Sequence, residues 1–496
     1  MHREHPLRII RYSIKNIWLL VLPLVRLVYS YRVSPEALMA WLRGAWFDLL
    51  ILLAILGFGW LNWFFREFTV EEGQLFIQDG ILFTRRRYVP GRNLTALTIR
   101  QPPWLRPFRA AYLCADTAAG LLGATDIRLL IRLRDAEMFR RTLPHLRQGK
   151  RHNTHYKVDL WRILLFSVLF SSSFYGSVYM ATFWFQGGRV ARDLIQELRL
   201  TERLNTLSEE VAGHLAGIPP AAVTVGLVIL STWLLSFLAN LLRYFGFFIE
   251  SDKRLMYIHS GLFMRRRITL RTQKINFLDI RQNLLMKAFH LHTVAVNCPG
   301  YGTERGSIPV CLPILTGDEA DYTVLPKMFP GTRMTDNTLR PPWTSWWPYV
   351  SLPVFAAAAL MPAMQAAKQF FPAVDDIFAF LQIMLLIPIG WKFIIQNAAF
   401  RTSGVSITGG RICMRYCRFT TFHTILADTD CIVKVRIHRW FWQYWSGKCS
   451  LTFYLQAETM RRFTLWSLKY DEVCALLGEF LSTQTPIEPN EETPQG

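Results

Sequence analysis

The side chains best suited to chemistry in this chain are cationic and aromatic, and they come in clusters. Arg85-Arg86-Arg87 and Arg265-Arg266-Arg267 each follow a glycine turn by a few residues. On a strand, the outer two arginines of a triplet share one face. Beside a bilayer, each such charge adds about 1 kcal/mol of attraction to anionic lipid. As plain surface arginines they would instead serve orientation and solubility, and the sequence leaves these two readings level. A third, sparser group is Arg411, Arg415 and Arg418. The run Trp440-Phe441-Trp442-Gln443-Tyr444-Trp445 is too aromatic for an ordinary loop. It suits a protein-contact patch or an anchor at a membrane interface, and interface packing is favoured. The candidate lipid- or partner-binding residues are therefore Arg85, Arg86, Arg87, Arg265, Arg266, Arg267, Arg415, Trp440, Trp442 and Trp445.

Catalytic constellations are missing from the sequence. There is no G-x-S-x-G, P-loop, H-E-x-x-H or glycine-rich dinucleotide fingerprint. His290 and His292 would share a strand face, and so would Cys413 and Cys417, but neither pair has partners at ligand spacing. The eight cysteines contain no C-x-x-C. They read as reduced cytosolic thiols rather than a disulfide framework. No catalytic residue, metal or cofactor is expected, and the chain is not expected to be an enzyme.

The elements that position these clusters are apolar. The chain is 51% hydrophobic with a net charge of +20, so grease and charge must be segregated. Such a charge suits nucleic acid or an anionic membrane surface. Six apolar stretches make the membrane the expected partner, and no nucleic acid is expected. They pair as Ile14–Tyr31 with Phe47–Phe65, Leu160–Phe185 with Ala221–Leu242, and Trp346–Met364 with Ile377–Ile395. Each approaches the roughly 20 residues that cross a hydrocarbon core. The first carries Arg26 and would alternatively lie flat in the interface. Lys and Arg concentrate in the segments between pairs, which places the N-terminus, the basic segments and the C-terminus in the cytoplasm. Within the second pair, Ile195, Leu198, Leu204, Leu207 and Val211 suggest an amphipathic outer helix. Paired acids inside the spans, which an ion pathway would want, are not found.

The basic segments repeat. Gly80 precedes Ile99-Arg100-Gln101 and Phe108, and Gly261 precedes Ile280-Arg281-Gln282 and Phe289 at the same intervals. A third copy reads from Gly409-Gly410 to Val435-Arg436 and Tyr444, with about six extra residues. Each copy opens with alternating apolar residues into a turn that permits positive φ. Each closes with a helix opened by acids, and in the second copy Thr316 and Glu319 have capping-box spacing. Recurrence of the Arg-Gln pair points to a role in the fold, such as holding a turn.

This pattern resembles the bacterial pleckstrin-homology-like (bPH) domain family, and the repeated unit resembles membrane proteins of the YdbS/YdbT type. The resemblance implies bent antiparallel barrels, each capped by a C-terminal helix. The expected fold is an α+β membrane protein with three transmembrane helical hairpins, about six helices, each followed by a PH-like barrel. The expected divisions are 1–65 and 160–245 and 346–396 for the hairpins, 66–159 and 246–345 and 397–482 for the PH-like domains, and 483–496 for a disordered tail. The expected function is a multi-pass inner-membrane scaffold. Its cytosolic domains would bind the anionic lipid surface, a partner protein or a second copy of the chain. By resemblance alone, envelope maintenance or tolerance of membrane-active peptides is a plausible setting. A transporter or export-complex component is the alternative, which broken helices such as one interrupted at Pro353 and Pro362 would support.

Overall fold

The computed structural model describes residues 2–13, 46–71, 73–81, 83–117, 127–142, 154–170, 220–252, 254–299, 309–370, 375–457 and 461–484. Strand β1 (His2–Arg3) and helix α1 (Trp46–Phe64) precede the first repeat. That repeat runs β2 (Glu67–Glu71), β3 (Gln74–Asp79), β4 (Arg85–Pro90), β5 (Leu94–Gln101), β6 (Ala110–Thr117), β7 (Ile127–Arg132) and α2 (Leu133–Thr142). Next come β8 (Thr154–Lys157), α3 (Leu160–Phe170) and α4 (Pro220–Tyr244). The second repeat holds β9 (Phe248–Ser251), β10 (Leu255–Ser260), β11 (Arg265–Arg271), β12 (Phe277–Asn283), α5 (Leu284–Ala288), β13 (Leu291–Asn297), β14 (Val310–Thr316) and α6 (Leu325–Met328). Helices α7 (Trp346–Phe370) and α8 (Asp375–Thr402) lead to the third. It holds β15 (Gly404–Thr408), β16 (Arg411–Arg418), β17 (Thr421–Asp428), β18 (Ile432–His438), α9 (Phe441–Trp445), β19 (Lys448–Leu455), β20 (Arg461–Lys469) and α10 (Tyr470–Gln484).

In each repeat the first three strands form one antiparallel meander and the last three another. Neighbouring repeats are then joined edge to edge. The sheets run β1-β2-β3-β4, β7-β6-β5-β11-β10-β9-β8, β14-β13-β12-β17-β16-β15 and β18-β19-β20. The two junctions share one register. Arg266 faces Arg100 and Ile268 faces Thr98. His423 faces Arg281 and Ile425 faces Asp279. The second repeat thereby serves two compact units. One comprises residues 1–156, 247–274 and 298–307, and the other residues 157–246, 275–297 and 308–496.

The core of the first unit gathers Leu75, Ile77, Leu97, Ile99, Leu113 and Leu129, with Ala136 and Phe139 of α2 closing it. Leu255 and Tyr257 of the second repeat share that cluster. In the second unit, Phe277 and Ala295 join Met414, Ile425, Phe453 and Leu465. Junction strands accordingly lose the simple alternation of a half-buried strand. Nearly all of β5 is buried, whereas the corresponding β18 is largely exposed.

The register also corrects the reading of the third repeat. Ten residues after Ile99, Ile280 and Ile437 stand Arg109, His290 and Gly447, all at positive φ. The counterpart of Ile99-Arg100-Gln101 is therefore Ile437-His438-Arg439, and the extra residues vanish. Gly409-Gly410 closes the first hairpin of this repeat, between Thr408 and Arg411. The loop matching Gly80 is the Phe419-Thr420 turn between β16 and β17. Gly80 itself sits at φ +121°, where an added Cβ would lie 1.9 Å from the Phe83 carbonyl oxygen. The arginine triplets are likewise one residue out of step, since Asp79 faces Arg85 but Ser260 faces Arg266.

The repeated glutamine holds a turn, in keeping with its recurrence. Gln101 Nε2 donates to the Ala110 carbonyl (3.3 Å), and Gln282 Nε2 donates to the Leu291 carbonyl (2.8 Å). In the third repeat, buried Gln443 takes this role from inside the aromatic run. Its Oε1 accepts from Trp440 N, and its Nε2 donates to Ser450 Oγ (3.1 Å) and Ser467 Oγ (3.4 Å). The capping box also forms: Thr316 N donates to Glu319 Oε2 (3.0 Å), and Glu319 N to Thr316 Oγ1 (3.4 Å).

The three helical hairpins with about six spanning helices are not what the structure shows. Among the described residues one helix, Trp343–Phe370, is long and apolar enough to cross a membrane, and Leu53–Phe64 and Leu160–Leu169 are shorter apolar helices. The physical reason is that hydropathy counts apolar side chains without asking what they touch. Ile163 and Phe166 of α3 are fully buried, and Arg162 pairs with Glu319 (2.7 Å), so this helix docks on the second repeat. Residues 171–185 of the expected span Leu160–Phe185 lie outside the described residues. Ile395 and Ala399 near the end of α8 are buried in a cluster with Phe422. The stretch Ile14–Tyr31, the amphipathic segment around Ile195–Val211 and residues 485–496 of the expected tail lie outside the described residues.

Two expected outcomes follow from the junction and the turn. Asp279 is 1% exposed and accepts from His423 Nδ1 (2.9 Å) and Arg281 Nε (2.7 Å). Burial alone would raise its pKa, but the Arg281 charge, then His423, hold the carboxyl down at about 2. Its stabilisation is therefore complete above pH ~4, the ordinary carboxylate value, and is lost as pH falls toward 2. Asp279→Asn should cost about 3–5 kcal/mol by leaving Arg281 without its partner, and should flatten that acid limb of the unfolding midpoint against pH. Gln443→Leu should cost about 1–3 kcal/mol in denaturant unfolding of the full chain in detergent, because it strands three polar partners; an unchanged midpoint would remove Gln443 from this role.

Candidate functional site

The two arginine triplets occupy different surroundings. Arg85, Arg86 and Arg87 lie on β4, which among the described residues pairs on one side only. Arg87 is tied to Asp79 (2.7 Å), and Arg85 and Arg86 are exposed. The second triplet lies on β11 inside a junction. Arg267 pairs with Glu137 of α2, Arg266 contacts the Met264 sulfur (3.6 Å), and Arg265 is exposed. Charge on β11 is thus partly spent on holding neighbouring repeats together, whereas charge on β4 faces outward.

The aromatic run forms an exposed knob. Trp440 and Trp442 stack with ring centroids 5.0 Å apart, and Phe441 and Trp445 are 70% and 84% exposed. Buried Gln443 fastens the knob from beneath. Its partner Ser467 accepts, through its backbone carbonyl, the Ser345 Oγ hydrogen bond (2.8 Å). Ser345 ends the 3₁₀ turn Trp343–Ser345, from which α7 departs. Two hydrogen bonds therefore separate the knob from the start of the apolar helix. Trp343 and Trp347 at that start are also exposed, as is Trp466, whose carbonyl accepts from Tyr349 Oη (3.2 Å). The hairpin tip of the same repeat reaches α8, where Lys392 Nζ donates to the carbonyl of Phe419, itself 77% exposed. In the first unit, the equivalent loop and tip also meet. Arg106 donates to the carbonyls of Leu262 and Phe263 (2.6 Å to the latter), leaving Trp104, Phe108, Leu262 and Phe263 exposed together.

Arg415 lies elsewhere, in a cleft of about 770 Å³ in the second unit. The cleft opens at the β12–β17 junction and is lined by Gln282, Lys287, His292, Arg415, Tyr416 and His423, with Arg333, Arg340 and Arg401 also at its wall. Two acids, Asp321 and Asp336, reach it. Lys287 Nζ sits 4.2 Å over the Phe422 ring, and burial, with Arg415 adding to it, pushes the ammonium down to about 8. Burial, then the positive field of His290, Lys287 and Arg415, pushes His292 down to about 4, so it is neutral at pH 7. Its Nδ1 is buried without a hydrogen-bond partner. Tyr416 stacks on His423, with centroids 5.0 Å apart.

Of the residues singled out from sequence, the structure brings Trp440, Trp442 and Trp445 together in the second unit, holds both triplets in the first, and puts Arg415, alone of them, in the cleft. Sequence reasoning misses Lys287, His292, Arg333, Arg340 and Arg401. His292 stands out there only for its spacing from His290. Lys287 and Arg401 each stand in the last turn of a helix, a position where cations complement the dipole, but nothing in their spacing joins them. Among the described residues no group of three His, Cys, Asp or Glu side chains could hold a metal.

The family model described as Bacterial PH domain matches residues 18–147 and 209–321, covering the first and second repeats. The chain is 21% identical over 278 residues to the transmembrane protein YdbT of Bacillus subtilis (strain 168). That alignment covers 50% of this chain and 54% of the relative, so the chain spans about half the length of the curated relative it matches. No solved structure matches it. Paired three-stranded meanders with a closing helix and the two matches to the Bacterial PH domain family identify the first two repeats as bacterial PH domains, in a chain that is similar to YdbT.

Proposed function

We propose that this chain is a membrane-associated, non-enzymatic scaffold of the bacterial cytoplasmic membrane. Its PH domains lie on the cytoplasmic side, rest on the anionic lipid surface and hold a protein partner. The observation that carries this reading is the hydrogen-bonded path from the aromatic knob through Gln443 and Ser467 to Ser345 at the start of the apolar helix. That path ties the knob bearing Phe441 and Trp445 to the start of the helix, which supports a position for them near the level where the helix would enter lipid. Aromatic side chains concentrate at that depth because their rings are apolar and their edges polar. Similarity to a protein named as transmembrane supports the membrane assignment. The net charge of +20 suits an anionic leaflet, and the eight free cysteines suit a reducing compartment. A lipid surface, rather than nucleic acid, is the partner that these exposed aromatic side chains fit.

Two measurements test this. Trp445→Cys in a Cys474→Ser background, labelled with bimane in nanodiscs, should be quenched by nitroxide lipids carrying the spin label near the headgroup. Quenching no greater than for a label at Arg85→Cys would detach the knob from the membrane. Reporter fusions after Arg333 and after Gly496 should both read as cytoplasmic, and a periplasmic signal at either would overturn the orientation.

A further inference from the structure

We infer that the cleft at the junction of the second and third repeats is a binding site for a phosphate-bearing polyanion, with Lys287 and Arg415 as its central ligands. Three observations carry this. First, the charges do not balance. Five Lys or Arg side chains line the cleft against two acids. Neither Lys287 nor Arg415 makes an ion pair among the described residues, although Asp321 lies close enough to Arg415 to feel its charge. Second, the cations are held where they are costly. Lys287 is partly buried between an aromatic ring and a second cation. Chain segments normally place unpaired cations in water, so two brought to one wall imply an anion that completes them. Third, the remaining polar lining suits oxyanion contacts. Neutral His292 keeps a ring nitrogen without a partner, and the Gln282 amide lies 3.4 Å from its other nitrogen.

The choice of phosphate over carboxylate rests on charge number and shape. A single carboxylate would offset one of the five cations, whereas a phosphate monoester or diphosphate carries two or more negative charges in a compact tetrahedral group. Guanidinium forks such as that of Arg415 match its oxygens in pairs. A cleft near 770 Å³ is also the size of ordinary small-ligand sites, about 300–1,000 Å³. Arg401 stands in the last turn of α8 and Arg340 lies just before the apolar helix at Trp343–Phe370. The source of the phosphate is therefore either a lipid headgroup at that level or a free cytosolic phosphate compound. The lipid source rests on the membrane reading above, and the free source does not.

The test uses the full chain in nanodiscs of phosphatidylcholine, with pyrophosphate titrated by calorimetry, and in nanodiscs containing phosphatidic acid, whose headgroup is a phosphate monoester, with retained lipid counted by native mass spectrometry. The free source predicts pyrophosphate binding that falls at least tenfold in Arg415→Gln and in Lys287→Gln. The lipid source predicts little pyrophosphate binding, but phosphatidic acid retained by the native chain and lost from both variants. Between pH 7 and 9.5 the native chain's affinity for the bound probe should fall relative to that of Lys287→Gln, since Lys287, beside Arg415 and the Cys417 thiol, loses its proton across that window, whereas the ligand's own ionisation is common to both chains. Arg85→Gln, on a strand of the other unit, should behave as native in both arms. Unfolding midpoints are measured for each variant, and if Arg415→Gln is destabilised, Lys287→Gln decides the test, because its native side chain makes no ion pair among the described residues. No binding of either ligand by the native chain, or equal binding by native and variant chains, would overturn the site. Bimane quenching at Trp445 is independent of this result, so failure of the cleft and failure of the membrane reading are distinguishable.

Discussion

The antiparallel pairing of one repeat with the next constrains everything else in this protein. Strand β12, the fourth of the second repeat, pairs with β17, the third of the third repeat, and their register decides which side chains become neighbours. It places Asp279 against Ile425, within hydrogen-bonding reach of His423, and it places Arg281 opposite His423. A lone carboxylate would be prohibitive to bury, so the position is tenable only because two cations or donors converge on it. A slip of one residue would turn Asp279 toward the opposite face and leave His423 behind. The same pairing brings α5, with Lys287, alongside β16, with Arg415. A polar lock inside the sheet and a basic cleft at its margin are thus two consequences of one register.

Much of the repeat is legible in the sequence because it rests on local rules. Gly80 is required by a positive φ and a carbonyl contact that leaves no room for Cβ. Thr316 and Glu319 announce a cap through spacing alone. The Arg-Gln pair recurs because the amide closes a turn nine residues later. What stays hidden depends on pairing between distant strands. The triplets look equivalent in sequence, yet one residue of offset sends Arg267 to Glu137 while Arg85 and Arg86 remain in solvent. The third repeat is easily misaligned because its glycine pair invites a match to Gly80, when the structural counterpart of that turn holds Phe419 and Thr420. The cleft draws on strands β12, β13, β16 and β17, two helix ends and the 333–340 connection, and no periodicity links those segments.

The apolar helices show a second limit of reading by composition. Apolar surface on a helix is needed both to meet lipid and to dock on protein, and the count of such residues does not divide the two uses. Helix α3 spends Ile163 and Phe166 on packing, and the last turns of α8 spend Ile395 and Ala399 in the same way. Helix α7 is different. Val350 on it is buried, but Leu352 and Phe355 are exposed, so this part of its apolar surface is uncovered by protein among the described residues and calls for another apolar medium.

The third repeat departs from the others in that its fourth strand, β18, is paired on one side only among the described residues. In the first two repeats the fourth strand is covered by its successor, and β5 and β12 are accordingly well buried. Strand β18 has no successor among the described residues, and β4 has no predecessor. Both edges are positively charged: Lys434 and Arg436 stand exposed on β18, and Arg85, Arg86 and Arg87 stand exposed on β4, which ends in Pro90. If two chains were joined in the register of the internal junctions, Arg87 would face Arg436. Charged side chains and proline are the usual devices by which open strands are kept from pairing further. The array can therefore carry two open edges without polymerising. The loop that follows the last open strand is then free to take on another role, and it holds the six-residue run from Trp440 to Trp445, anchored through Gln443 to the foot of the apolar helix. Charge therefore lies on the strands that are paired on one side only, and the aromatic side chains lie on the loop that follows one of them.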